Sequence, residues 1–116
     1  MNSGDILLAR LPQADGREKL RPVLALQSIL PYADWLVMGI SSRLAVGIQG
    51  QDEWIPSTEA DFSSTGLKAS SVIRVGFLAT LPRSQLLGRI GFISPSRLDS
   101  VRQKLLRLIS VVPPQD

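Results

Sequence analysis

The sequence predicts a mainly β fold closed by a C-terminal helix, a small and strongly bent sheet or barrel of about five to seven short strands. Three observations predict it. Short apolar runs recur from Ile6 to Ile90. Gly, Pro, Asp and Ser separate those runs at turn-like intervals. Only after Ser94 does the apolar spacing change to a helical period. With 116 residues, the chain is expected to form a single domain over 1–116 with a small but adequate core.

The elements follow in order. Ile6–Ala9 and Val23–Leu26 are buried-strand candidates, and Pro12, Asp15 and Gly16 between them predict a hairpin with a charged loop holding Asp15, Arg17, Glu18, Lys19 and Arg21. Pro22 pushes Arg21 into an extended conformation at the mouth of the second strand. Trp35–Ile40 is a third strand with a polar exit at Ser41, Ser42 and Arg43. From Ala45 to Gly66 the chain reads as exposed loop with a short strand at Glu53–Ile55. Ser71–Val75 alternates as a strand, placing Val72 and Arg74 on one face. Phe77–Leu81 continues apolar, and Leu86, Leu87 and Ile90 predict a last strand. Ser94-Pro95 is an N-cap and first-turn pair, after which Leu98, Val101, Leu105, Leu108 and Ile109 form the inner stripe, with Arg97, Lys104 and Arg107 outside. Pro113 and Pro114 are expected to stop the helix. Trp35 reads as core; Trp54, in polar surroundings, reads as core or interface.

Composition narrows the chemistry. Thirteen Lys and Arg against ten Asp and Glu give a net charge of +3, which suits an anionic partner without requiring one. The absence of Cys and His removes disulfides, thiolate nucleophiles, imidazole bases and the commonest zinc ligands. The N-terminus has no signal-peptide pattern and no apolar run approaches a membrane span, so a cytoplasmic protein is expected.

The stretches GDILLARLPQADGREKLRPVLAL, ISSR, GLKASSVIRVGFLATL and LLGRIGFISPSRLDSVRQKLLRLI occur here in that order, and the chain resembles the PemK/MazF toxins of bacterial toxin–antitoxin systems over nearly its whole length. Arg21-Pro22 is the most specific mark. The resemblance implies an SH3-like barrel, a homodimer, and a cofactor-free endoribonuclease that cuts single-stranded RNA without a metal and is inhibited by a cognate antitoxin covering the RNA groove. It matches Arg21 to the active-site arginine, Ser41 to a Thr or Ser position after the third strand, and Arg74 to an arginine that some members use as general acid. Two positions depart from the pattern. Gly76 stands where such members carry an acid, and Arg17 lies near the place of a histidine.

RNA cleavage of this kind needs the ribose 2′-OH to lose a proton and attack the adjacent phosphate, while charge on the phosphorane is stabilised. Arg21 and Arg74 suit the second task through planar, bidentate donors, and Ser41 adds a neutral hydrogen bond. For the first, Glu18 in the loop ranks ahead of Asp15 beside it. Arg17, Lys19 and Ser42 complete the expected RNA contacts. Structural readings stand beside these: Arg21 paired with Asp5 or Glu18, Arg74 as a solvated strand residue, Ser41 as a strand-end hydrogen bonder. The corresponding alternative function is a weakened or inactive relative that binds RNA or protein.

Overall fold

The computed structural model describes residues 1–110. Six strands, β1 (Asp5–Pro12), β2 (Glu18–Ile29), β3 (Asp34–Ser41), β4 (Glu53–Ile55), β5 (Ser71–Leu81) and β6 (Leu86–Phe92), precede helix α1 (Pro95–Ser110). They form one curled sheet in the order β4-β5-β3-β2-β1-β6, every neighbouring pair antiparallel. The expected small barrel-like sheet with a terminal helix is what the chain forms.

The first hairpin is longer than its apolar runs. Pairing continues from Ile6↔Leu24 to Pro12↔Glu18, so Glu18, Lys19 and Arg21 lie within β2 rather than in the loop. The true turn is Gln13–Arg17: the Gly16 and Gln13 N–H groups donate to the carbonyls of Gln13 and Arg17, and the Asp15 carboxylate accepts from the Arg17 N–H at 3.0 Å. Gly16, at φ 83°, takes the left-handed position this turn needs. Charged residues extend the ladder here because backbone pairing does not depend on side-chain polarity at an exposed tip.

Alternation gives the sheet two apolar faces. On one, Ile6, Leu24, Met38, Ile40, Ile55, Ile73 and Val75 pack with Val101 of α1, joined by Leu98, Leu105 and Leu108. On the other, Leu7, Ala9, Val23, Ala25, Trp35, Val37 and Leu81 cluster using strand residues alone. Trp35 is thus core, as expected.

Helix α1 starts as predicted, with the Ser94 hydroxyl accepting from the Arg97 N–H at 3.2 Å and the Ser94 carbonyl accepting from Leu98 N–H. Two expectations for its faces change. Ile109 is 67% exposed, because the side of α1 that packs on the sheet carries Leu98, Val101, Leu105 and Leu108 and leaves Ile109 beside it. Arg97 and Lys104 are not outward; they turn in to meet acids on β4 and the loop after it. The predicted stop at Pro113 and Pro114 lies outside the described residues.

The stretch 45–66 is also less loose than its composition suggests. β4 falls at Glu53–Ile55 as expected, yet Asp52, Glu53, Ile55 and Thr65 are all buried. Single helical turns at Leu44–Val46 and Ser63–Thr65 fold the segment onto the sheet. At Gly91 a Cβ would collide with the Thr65 backbone, so glycine permits the second turn to press against β6.

Candidate functional site

Strand register explains how the predicted residues meet. Val23 of β2 pairs with Gly39 of β3, and Gly39 pairs in turn with Arg74 of β5. Paired residues share a face, as do residues two apart on a strand. Arg21, two before Val23, and Ser41, two after Gly39, therefore share the face of Arg74, on the side away from α1. Lys19 precedes Arg21 by two and continues the same row. The backbones of β2 and β5 are two inter-strand spacings apart, about 10 Å, which two arginine side chains span together.

The same alternation separates Glu18 from Arg21. At an odd offset of three residues along β2, its side chain belongs to the face of Leu24, and it sits at the hairpin tip opposite Pro12. Sequence proximity in a loop suggested a shared site, whereas a strand sends adjacent residues to opposite sides. Arg17 is exposed in the turn and Ser42 is exposed just beyond β3; both border the row rather than complete it.

Among the described residues neither Arg21 nor Arg74 forms an ion pair. The suggested structural pairing of Arg21 with Asp5 is not made, because Asp5 accepts from Arg89 Nε at 3.0 Å. Arg74 instead lies over the Phe77 ring, 4.9 Å from its centroid. Ser41 Oγ accepts the Arg43 N–H at 3.0 Å, a strand-end contact that fixes the oxygen while leaving its own proton to donate. Two unneutralised guanidinium groups and a fixed hydroxyl thus share this face.

Gly76 faces elsewhere. A Cβ there would meet Leu108 Cδ2 and Gln51 Nε2 at 3.5 and 3.6 Å, on the helix side, so an acid at this position would point away from Arg74. No group of three or more acidic residues able to hold a metal ion occurs among the described residues, and no helix among them is long and apolar enough to cross a membrane.

A second polar cluster sits where α1 meets β4, beside a cleft of about 500 Å³. Arg97 donates to Asp61 Oδ2 and Oδ1 at 2.8 and 3.0 Å, to Glu53 Oε2 at 2.9 Å and to the Trp54 carbonyl at 2.7 Å. Lys104 and Ser100 donate to Glu53 Oε1 at 2.7 and 2.9 Å. Hydrogen bonds from Arg97 hold the Asp61 carboxyl below its ordinary range, and Asp61 in return raises Arg97. Arg97, Lys104, Glu53 and Asp61 are each paired inside the fold, so this cluster is a structural junction. Its signal was present in the sequence as Arg97, Ser100 and Lys104 at helical spacing, one stripe along α1, but its acidic partners are 36 to 51 positions away.

No curated protein matches by sequence. Among solved structures, the Mycobacterium tuberculosis toxin MazF-mt6 superposes with a TM-score of 0.70 at 21% identity, covering 93% of this chain and 98% of that one. MazF from Deinococcus radiodurans gives 0.69 at 22%, covering 96% and 97%. An endoribonuclease in complex with its cognate antitoxin from a mycobacterial species gives 0.69 at 13%, covering 98% and 99%. At these identities the likeness establishes the fold. The family rests on the sequence itself, which matches the PemK-like, MazF-like toxins over residues 2–109: the chain belongs to this family of type II toxin–antitoxin toxins.

Proposed function

We propose that the protein is an endoribonuclease that cleaves single-stranded RNA without a metal, using the face of Arg21, Ser41 and Arg74. The observation carrying this reading is the pair of guanidinium groups that share one sheet face with no carboxylate paired to either among the described residues. A phosphodiester supplies the missing counter-charge. The ribose 2′-oxygen attacks phosphorus, the P–O5′ bond breaks, and a 2′,3′-cyclic phosphate and a 5′-hydroxyl result. Arg21 and Arg74 stabilise the phosphorane charge, and the Ser41 hydroxyl donates to a non-bridging oxygen.

Glu18 lies on the other side of β2 and the chain has no histidine, so the 2′-OH proton passes to solvent and the leaving oxygen takes its proton from solvent. A positioned base contributes roughly 10²–10⁴-fold, so cleavage is slow by that factor relative to a site that has one. The same absence supports a second reading, in which this face binds RNA and does not cut it. A cognate antitoxin as inhibitor and a second copy of the chain as dimer partner belong to the first reading. The mycobacterial endoribonuclease above was solved with its cognate antitoxin, and Leu30 and Tyr32 at the β2–β3 turn are 86% and 83% exposed.

The test is incubation of wild type and Arg74→Ala with a long single-stranded RNA in EDTA, followed by end-group mapping. Discrete cuts with cyclic phosphate ends in wild type alone support the enzyme. Binding without cuts supports the second reading.

A further inference from the structure

β5 carries an irregularity against β3. Met38 and Gly39 are adjacent on β3, but their partners on β5 are Leu78 and Arg74, so Val75, Gly76 and Phe77 are three extra residues on the β5 side. The bulge is fastened. Asp52, 2% exposed, accepts the Val75 N–H at 2.9 Å through one oxygen and the Ile48 N–H at 2.8 Å through the other. The effect is to carry Phe77 onto the face of Gly39, where a Cβ on that glycine would stand only 3.1 Å from the ring. Phe77 belongs to neither apolar cluster and is 57% exposed, while the Arg74 guanidinium lies on its ring.

An aromatic ring held outside the core, beside an unpaired arginine, offers a π surface next to a phosphate site. We propose that Phe77 is the base-stacking platform of this site: one nucleobase of the RNA stacks on it while Arg74 holds the neighbouring phosphate. Phe77 thereby acts as a positioning residue for the bond to be cut. This rests on the single-stranded RNA reading above. The glycine at position 39 leaves the ring its place, and Asp52 sets the height of the bulge that carries it.

The experiment uses a single-stranded 2′-O-methyl oligonucleotide, which lacks the attacking hydroxyl and is bound without being cut. Affinity is measured across a salt series for wild type, Phe77→Leu, Phe77→Trp, Gly39→Ala and Arg74→Ala. Loss of one stacked base is expected to weaken binding by about five- to hundredfold in Phe77→Leu, with the salt slope unchanged because no charge is lost. Phe77→Trp retains affinity, and Gly39→Ala weakens binding by displacing the ring. Arg74→Ala instead flattens the slope. Phe77→Leu binding as tightly as wild type overturns the platform and leaves the RNA reading standing, as does a Phe77→Leu slope that falls with that of Arg74→Ala. A wild type without affinity for the oligonucleotide overturns both.

Discussion

Two clusters of basic side chains divide this molecule. At the junction of α1 and β4, Arg97 and Lys104 are drawn in against Glu53 and Asp61, and each donor has an internal acceptor. On the opposite side of the sheet, Arg21 and Arg74 have no acid partner among the described residues. The charge is the same; the pairing is opposite. A guanidinium whose field is cancelled inside the fold holds elements together, whereas one left uncancelled on a strand face keeps its charge for a ligand.

The comparison breaks most sharply at Arg97. Arg97→Ala strands Asp61 without its main donor and leaves Glu53 only Lys104 and Ser100, and breaking such a half-buried network costs about 3 kcal/mol or more in stability. Urea unfolding should show the midpoint falling; an unchanged midpoint would remove the junction from any structural role. Arg21→Ala is expected to do the reverse, lowering cleavage by roughly 10²–10³-fold, as loss of one transition-state donor does, with the unfolding midpoint near wild type. A midpoint that falls with the activity would mean Arg21 is structural after all.

Acid should affect the junction before the opposite face. Because hydrogen bonds from Arg97 depress the folded pKa of Asp61 below its ordinary value, that carboxylate binds a proton more readily in the unfolded chain. Its contribution is full above the unfolded value near ~3.9 and is lost as pH falls through the lower folded value. Asp61→Asn should therefore be less stable at neutral pH and lose less than wild type on acidification below about pH 4. Parallel acid-unfolding curves for the two proteins would show that Asp61 is not coupled to Arg97.

Two smaller effects sharpen the arginine face. Binding of single-stranded RNA should fall with log salt at a slope of about −2 to −3, the value for three or four phosphate contacts by Lys19, Arg21, Arg74 and Arg17. Ser41→Ala removes one neutral hydrogen bond worth about 0.5–1.5 kcal/mol, so cleavage should drop by roughly two- to thirteenfold. A loss beyond about a hundredfold would make Ser41 a proton carrier rather than a donor of one hydrogen bond.

Much of this was legible in the chain. The capping pair Ser94-Pro95, the strand at Glu53–Ile55 and the β5 alternation that puts Arg74 beside Val72 all follow from local chemistry, and each stands where the pattern placed it. Glu18 was misplaced for a specific reason: a charged, glycine-containing stretch reads as loop, but the hairpin ladder runs through it and alternation then decides the face. Along the chain, Phe77 reads as one more apolar strand residue. Its exposure arises from a three-residue register shift against β3, which periodicity within β5 cannot encode.

By itself, the sequence determined the fold class, the terminal helix with its N-cap, the exclusion of thiol and imidazole chemistry, and the arginine and serine candidates, because propensity, periodicity and side-chain inventory are local. Tertiary structure decided which charges are cancelled and which are free. Arg97 and Arg21 look alike along the chain, and the distinction between them lies in acids 36 and 44 residues from Arg97 that folding brings within 3 Å. Electrostatic neutralisation is a property of distances in space, and the backbone register across four strands sets those distances.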